Sequence, residues 1–116
     1  MKKVIYHLPT CSTCQRLLKE WNTEGAELRD IRNQPISENE IDEMADLAGS
    51  YEALFSRRAM KYRSMGLNEM ELSESDYRKY ILQEDTFLKR PVVIVGNEIF
   101  VGSAKKDVAK AAEALK

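Results

Sequence analysis

Two cysteines placed three positions apart are the residues of this sequence best suited to chemistry. Cys11 and Cys14 are the only cysteines in the chain, and they follow a short apolar run that begins at Val4. A Cys-x-x-Cys pair between a strand and a helix favours redox chemistry, because the exposed N–H groups at a helix start stabilise the thiolate of the first cysteine. The pair therefore predicts reversible thiol–disulfide chemistry.

The helix that follows predicts different roles for the two sulfurs. If it begins near Ser12, one apolar stripe recurs at positions i, i+3, i+4 and i+7 and consists of Cys14, Leu17, Leu18 and Trp21. Cys11 then stays accessible as the attacking sulfur, and Cys14 is the buried partner. Gly25 is the predicted end of this helix.

Other interpretations of these residues stay open. A tetrahedral zinc site needs about two further Cys or His ligands, and His7 is the only histidine, so no metal is expected. The cysteines can also be small buried residues without chemistry. A protonated His7 near the sulfur would lower the pKa of the thiol, whereas a ring packed at the strand end would have no chemical role.

Composition and charge narrow the class of protein. The 116 residues match one domain, predicted to span 1–116. The 18 basic and 19 acidic side chains nearly cancel, so no general field attracts nucleic acid or an anionic membrane. No apolar run is long enough to span a bilayer. We therefore expect a cytoplasmic protein, and in that compartment a lone Cys-x-x-Cys is more often catalytic or redox-sensing than structural.

The hydrophobic pattern predicts the element order β, α, β, a helical middle, then β, β, α. Strands are predicted at 3–6 and 26–31, and a hairpin joins 92–95 to 98–101 through Gly96-Asn97. Capping residues predict helix starts at Ser37, at Ser73 or Ser75, and at Ser103. This order is the thioredoxin-like topology, an α/β fold whose βαβ and ββα halves build a mixed sheet, with a helical insertion over approximately 36–86.

Three stretches then carry a family resemblance. They are Tyr6-His7-x-Pro9-x-Cys11-x-x-Cys14-x-Arg16, then Ala53-Leu54-Phe55-Ser56-Arg57-Arg58 with Tyr62-Arg63-x-Met65-Gly66-Leu67, and finally Leu88-Lys89-Arg90-Pro91-Val92-Val93. In this order they resemble the ArsC family of arsenate reductases and the related Spx-type proteins.

The resemblance implies roles for individual residues. Cys11 occupies the position of the reactive cysteine, Arg90 that of an arginine that meets the thiolate or a sulfur-bound oxyanion, and Pro91 that of a cis-proline. The simpler alternatives are a surface arginine and an ordinary trans proline. The candidate substrate-binding residues are His7, Arg57, Arg58 and Pro91. A basic run such as that of the two arginines is also typical of a solvated helix face.

The sequence also departs from the family. Ser56 occupies a position where the arsenate reductases have an arginine, and no arginine follows Arg90. The arsenate reductases generally lack a cysteine at position 14, whereas the Spx-type regulators carry a Cys-x-x-Cys that switches by forming a disulfide. We therefore predict poor reduction of arsenate.

The predicted function is that of an enzyme, a thiol–disulfide oxidoreductase of the ArsC family that acts through Cys11, Cys14 and Arg90. Its expected substrate is a small thiol adduct, an oxyanion or a protein disulfide. No bound cofactor is expected, glutathione is a candidate co-substrate, and thioredoxin or glutaredoxin is a candidate partner. One alternative is an Spx-type regulator that docks on RNA polymerase and reports redox state through the pair. The other alternative is an arsenate reductase.

Overall fold

The computed structural model describes residues 2–116. These residues divide into two compact units, one made of 2–35 with 90–116 and the other of Ile36–Lys89. The second unit coincides closely with the helical insertion predicted at approximately 36–86. A single domain spanning 1–116 stays a prediction.

The first unit contains a mixed sheet built from the two ends of the chain. Its strands are β1 (Lys3–His7), β2 (Glu27–Asp30), β3 (Val92–Val95) and β4 (Glu98–Val101). They lie in the order β2-β1-β3-β4, in which only the β1–β2 pair is parallel. The predicted mixed sheet and the β3–β4 hairpin are confirmed. β3 is buried along its whole length, as expected for four consecutive β-branched residues in a central strand.

Two helices complete the first unit, α1 (Ser12–Glu20) and α5 (Lys105–Leu115). Their apolar stripes pack with the sheet in one core cluster, formed by Ile5, Leu17, Trp21, Val93, Val95, Ala111 and Leu115. The predicted stripe of α1 is thereby observed as its buried face. This packing fixes the start of α1, and with it Cys11, against the end of β1.

Two predicted helix boundaries are wrong. α1 ends at Glu20 and not near Gly25, because Trp21 already has an extended backbone and the Asn22 side chain bridges to the carbonyl of Leu115 at 3.2 Å. Gly25 instead takes a positive φ of 78° just before β2. Ser103 does not cap α5, since the residue before this helix is Ala104 and no side chain caps it.

The second unit consists of α2 (Glu38–Ala48), α3 (Met60–Ser64), α4 (Glu74–Gln83) and three short 3₁₀ segments, at Glu52–Leu54, Leu67–Glu69 and Asp85–Phe87. Ser37 and Ser73 cap α2 and α4 with full capping boxes, as predicted. The aromatic rings of Tyr62, Tyr77 and Phe87 surround Phe55, with centroid distances of 4.9–5.9 Å. This unit thus has an aromatic core of its own.

Candidate functional site

Cys11 is the N-cap residue of α1, directly before Ser12. Its backbone is extended (φ −90°, ψ 107°), and its sulfur accepts a hydrogen bond from the N–H of Cys14 at 3.4 Å. The N–H of Cys11 donates to the carbonyl of Leu8 at 3.0 Å, which closes a tight turn between β1 and α1. A sulfur in this position meets the unpaired N–H groups and the positive end of the helix dipole, and both favour the thiolate.

Cys14 lies one helical turn further on, in the buried face of α1. Its side chain is 0% exposed, and both cysteines are free thiols. Burial raises the pKa of the Cys14 thiol to about 12, and the negative charge that develops on Cys11 acts in the same direction. Cys14 is therefore a protonated thiol at neutral pH, and its S–H donates to the sulfur of Cys11.

Arg90 supplies a cation at the same sulfur. Only Pro91 separates it from β3, and the Arg90–Pro91 peptide bond is cis, in agreement with the expectation for Pro91. Burial alone would raise the pKa of the Cys11 thiol. Hydrogen bonds from Cys14 and from Arg90, together with the positive charge of Arg90, outweigh this effect and hold the pKa below its ordinary value. Cys14 and Arg90 thus make Cys11 the more acidic of the two cysteines.

His7 lies at the end of β1. Burial lowers the pKa of the His7 imidazole, and the neighbouring carboxylate of Asp30 only partly offsets the shift. The groups that chiefly lower the pKa of Cys11 are Cys14 and Arg90. Burial thus favours a neutral ring at the end of β1, and a role of His7 in substrate binding stays a prediction.

Arg57 and Arg58 belong to the second unit. The Arg57 guanidinium pairs with the carboxylate of Glu52 at 2.7 Å, donates to the Tyr77 hydroxyl at 3.0 Å and lies over the Tyr77 ring. Arg58 is exposed, and its backbone N–H donates to the Ser56 hydroxyl at 3.3 Å. A role of either arginine in substrate binding stays a prediction.

Arg32 lies near the candidate site, although the sequence patterns did not predict it there. Arg32 follows β2, and its guanidinium donates to the hydroxyl of Thr10, the residue before Cys11, at 3.5 Å. β1 and β2 are parallel, so the loops after both strands meet at the same edge of the sheet. This strand arrangement was the available signal, since it brings the residues after Asp30 close to those after His7.

Two further findings concern metals and membranes. Within residues 2–116, no group of three or more His, Cys, Asp or Glu side chains is placed to bind a metal ion. None of the helices in this part of the chain has the length and apolar character needed to cross a bilayer.

A sequence model of the ArsC family matches residues 6–111, a range that includes both cysteines, Arg90 and Pro91. The chain belongs to the ArsC family. This membership confirms the family suggested by the three stretches of sequence.

Individual relatives of this ArsC family member are distant. It is 27% identical over 93 residues to the arsenate reductase of Acidiphilium multivorum, a match that covers 78% of this chain and 66% of that relative. It is 22% identical over 111 residues to the global transcriptional regulator Spx 2 of Bacillus anthracis, a match that covers 92% of this chain and 84% of that relative. The chain thus spans just under two thirds of the arsenate reductase and most of the regulator.

Similarity to solved structures is more extensive than the similarity in sequence. The structure of an arsenate reductase from Vibrio cholerae is similar to this one with a TM-score of 0.79 at 19% sequence identity, and the match covers 99% of this chain and 98% of that chain. The predicted α/β, thioredoxin-like fold class is thereby confirmed.

We predict that Cys11 is alkylated before Cys14. Brief exposure of the reduced protein to iodoacetamide near neutral pH should modify Cys11 alone, because only its sulfur is both accessible and partly ionised. The rate at Cys11 should fall as the pH drops through its lowered pKa. Peptide mass spectrometry identifies the modified residue, and early labelling of Cys14 would contradict the assignment.

Proposed function

We propose that this protein is a thiol-dependent oxidoreductase in which Cys11 attacks and Cys14 resolves. One observation carries the proposal: the sulfur of Cys11 accepts hydrogen bonds from the Cys14 N–H and from Arg90, beside the buried thiol of Cys14. An acidic first thiol and a protonated second thiol are the combination that a dithiol reductant needs.

The proposed reaction transfers two electrons from the cysteine pair to a disulfide substrate. The thiolate of Cys11 attacks one substrate sulfur, the substrate S–S bond breaks, and the first substrate thiolate leaves. Cys14 then gives its proton to the first substrate thiolate or to water and attacks the sulfur of Cys11, which releases the second substrate thiolate and forms the Cys11–Cys14 disulfide. An external thiol, of the glutathione, glutaredoxin or thioredoxin class, returns the pair to the dithiol. A reducing compartment such as the cytoplasm suits this cycle.

Arg90 has a defined role in the proposal. Its guanidinium stabilises the thiolate before attack. It also stabilises the negative charge that returns to Cys11 during recycling, when a second external thiol attacks the outer sulfur of the mixed disulfide and Cys11 leaves. Pro91 continues the same segment into β3 and is buried, so the arginine is held at the start of a rigid strand.

A trapped intermediate tests the division of roles. Cys14→Ser should retain attack by Cys11 but accumulate a stable mixed disulfide with a small disulfide substrate, because no second sulfur is present to release it. Intact-mass measurement should show one substrate adduct on Cys14→Ser and loss of two hydrogens, without an adduct, on the wild type. Cys11→Ser is the matched control and should show neither change. An adduct on Cys11→Ser, or persistent free thiols in the wild type, would refute the proposal.

The groups around Cys11 suit arsenate less well than a disulfide. Several convergent donors are needed around a sulfur-bound oxyanion, and loss of one donor of this kind costs ~10²–10³ in rate. Arg90 is the arginine that contacts Cys11. Ser56 occupies an arginine position of the family, and the exposed Lys105 and Lys106 offer only point charges without a bidentate fork.

We therefore predict low arsenate reductase activity beside competent disulfide reduction. Arsenate-dependent oxidation of NADPH, coupled through glutathione and glutaredoxin, should be lower than the rate with a small mixed disulfide by a factor of about 10² or more. Robust arsenate turnover that Cys11→Ser abolishes would make arsenate reduction the first function.

A second candidate is redox regulation of the Spx type. The match to the regulator of Bacillus anthracis covers 92% of this chain, and a free Cys-x-x-Cys pair suits a switch as well as an enzyme. In this alternative the pair is oxidised once and alters affinity for RNA polymerase. Multiple turnovers per protein molecule with an external thiol distinguish the enzyme, because a switch needs no recycling on the timescale of catalysis.

A further inference from the structure

The turn after β2 holds Arg32 in a defined backbone position. The carboxylate of Asp30 accepts hydrogen bonds from the N–H of Arg32 at 2.9 Å and from the N–H of Asn33 at 3.2 Å. The carbonyl of Asp30 accepts from the N–H of Gln34 at 2.8 Å, which closes the turn. The N–H of the buried Ile31 donates to the carbonyl of His7 at 3.0 Å and ties the turn to β1.

The side chain of Arg32 extends from this turn to the loop that carries Cys11. Its guanidinium is exposed and donates to the hydroxyl of Thr10 at 3.5 Å. Consecutive Cα atoms are ~3.8 Å apart, so the guanidinium lies at most roughly 12 Å from the sulfur of Cys11 along this path. A small molecule joined to Cys11 through a disulfide can span such a distance.

The charge of Arg32 lies beside the loop and not at the sulfur. The cation that lowers the pKa of Cys11 is Arg90, which donates a hydrogen bond to it. Arg90 therefore serves the reacting atom, whereas Arg32 presents positive charge beside the reactive loop and away from the reacting atom. A cation in this place can distinguish substrates by their charge without changing the chemistry at sulfur.

We propose that Arg32 is a specificity-determining residue that binds a carboxylate of a low-molecular-weight disulfide while Cys11 attacks its sulfur. This inference rests on the proposed thiol–disulfide function and names its substrate class. The hydrogen bond to Thr10 orients the guanidinium toward the reactive loop, and the planar fork of arginine suits a carboxylate.

A single-turnover assay with two matched disulfides tests the proposal. The reduced protein is mixed with excess 3,3′-dithiodipropionate, which carries two carboxylates, or with neutral bis(2-hydroxyethyl) disulfide. In both reactions the Cys11 thiolate and the Cys14 thiol together lose two electrons and one proton and form the internal disulfide. One substrate molecule becomes one thiol, which takes the proton of Cys14, and one thiolate, which takes a proton from water. Quenched-flow mass spectrometry measures the second-order rate constant, and no external reductant is needed.

Three variants distinguish an effect of the Arg32 charge from an effect of its hydrogen bond on the structure of the reactive loop. Arg32→Gln removes the charge, and Thr10→Val removes the hydroxyl but leaves the guanidinium. Arg16→Gln is the control, since it makes the same charge change at an exposed arginine of α1 that already pairs with Glu20 at 3.1 Å.

Arg32→Gln should slow the reaction with the dicarboxylate about two- to five-fold, the usual effect of one exposed ionic contact, and leave the neutral disulfide unchanged. Arg16→Gln should keep the wild-type preference. Thr10→Val should reduce it less than Arg32→Gln does, because the charge remains although the hydrogen bond that orients it is lost. Higher ionic strength should reduce the preference in the wild type. Equal slowing of both disulfides by Arg32→Gln and Thr10→Val would show a purely supporting role and overturn the proposal. If Arg16→Gln lost the preference for the dicarboxylate as much as Arg32→Gln, the effect would come from the general positive charge of the surface, and the proposal would also be overturned.

The assay also separates this inference from the proposed function. A wild-type protein that reacts with both disulfides but shows no effect of Arg32→Gln on their ratio overturns only the role of Arg32. A wild-type protein that forms the internal disulfide with neither compound overturns the proposed function and this inference together.

Discussion

A negative charge on a half-buried sulfur is the constraint on which the rest of this site depends. Removal from water raises the pKa of a thiol, so Cys11 can be ionised near neutral pH only if the protein replaces the lost solvent with donors. The start of α1 provides the N–H of Cys14, and the start of β3 provides the guanidinium of Arg90. The fold brings these two chain segments together because β1 pairs with β3 in the centre of the sheet.

The same helix that activates Cys11 keeps Cys14 inactive. The two sulfurs are one turn apart, but the periodicity of α1 places Cys14 on the face that packs in the core. Low dielectric surroundings disfavour a second thiolate, and the charge on Cys11 disfavours it further. This asymmetry sets the order of events proposed for the pair, since Cys14 can attack only after the charge on Cys11 has been consumed in a bond to the substrate.

Much of this arrangement is readable from local sequence patterns. The stripe from Cys14 to Trp21 predicts which cysteine is buried, and the Gly96-Asn97 pair between two β-branched runs predicts the hairpin. Local patterns were less reliable where tertiary contacts decide: α1 ends before Gly25 because Asn22 bonds to Leu115, at the far end of the chain. The proximity of Arg90 to Cys11 came from family resemblance, since 79 positions separate the two residues and no periodicity relates them.

The properties of His7 and Arg32 depend on the folded environment in a similar way. A histidine before a reactive cysteine can be a cation or a packed neutral ring, and only its burial shows that the neutral form is favoured. Arg32 has no distinctive motif around it. Its relation to Thr10 depends on the parallel pairing of β1 and β2, which places two loops of distant sequence at one sheet edge.

Titration of the two cysteines by ¹³C NMR, with the Cβ atoms labelled, tests the central claim most directly. The account predicts that Cys11 titrates with a pKa below that of an ordinary thiol, that Cys14 titrates far above it, and that Arg90→Gln raises the pKa of Cys11. Arg16→Gln, which alters an exposed arginine of α1, should leave both values unchanged. A pKa of Cys11 at or above the ordinary value, or one that Arg90→Gln does not raise, would contradict the account.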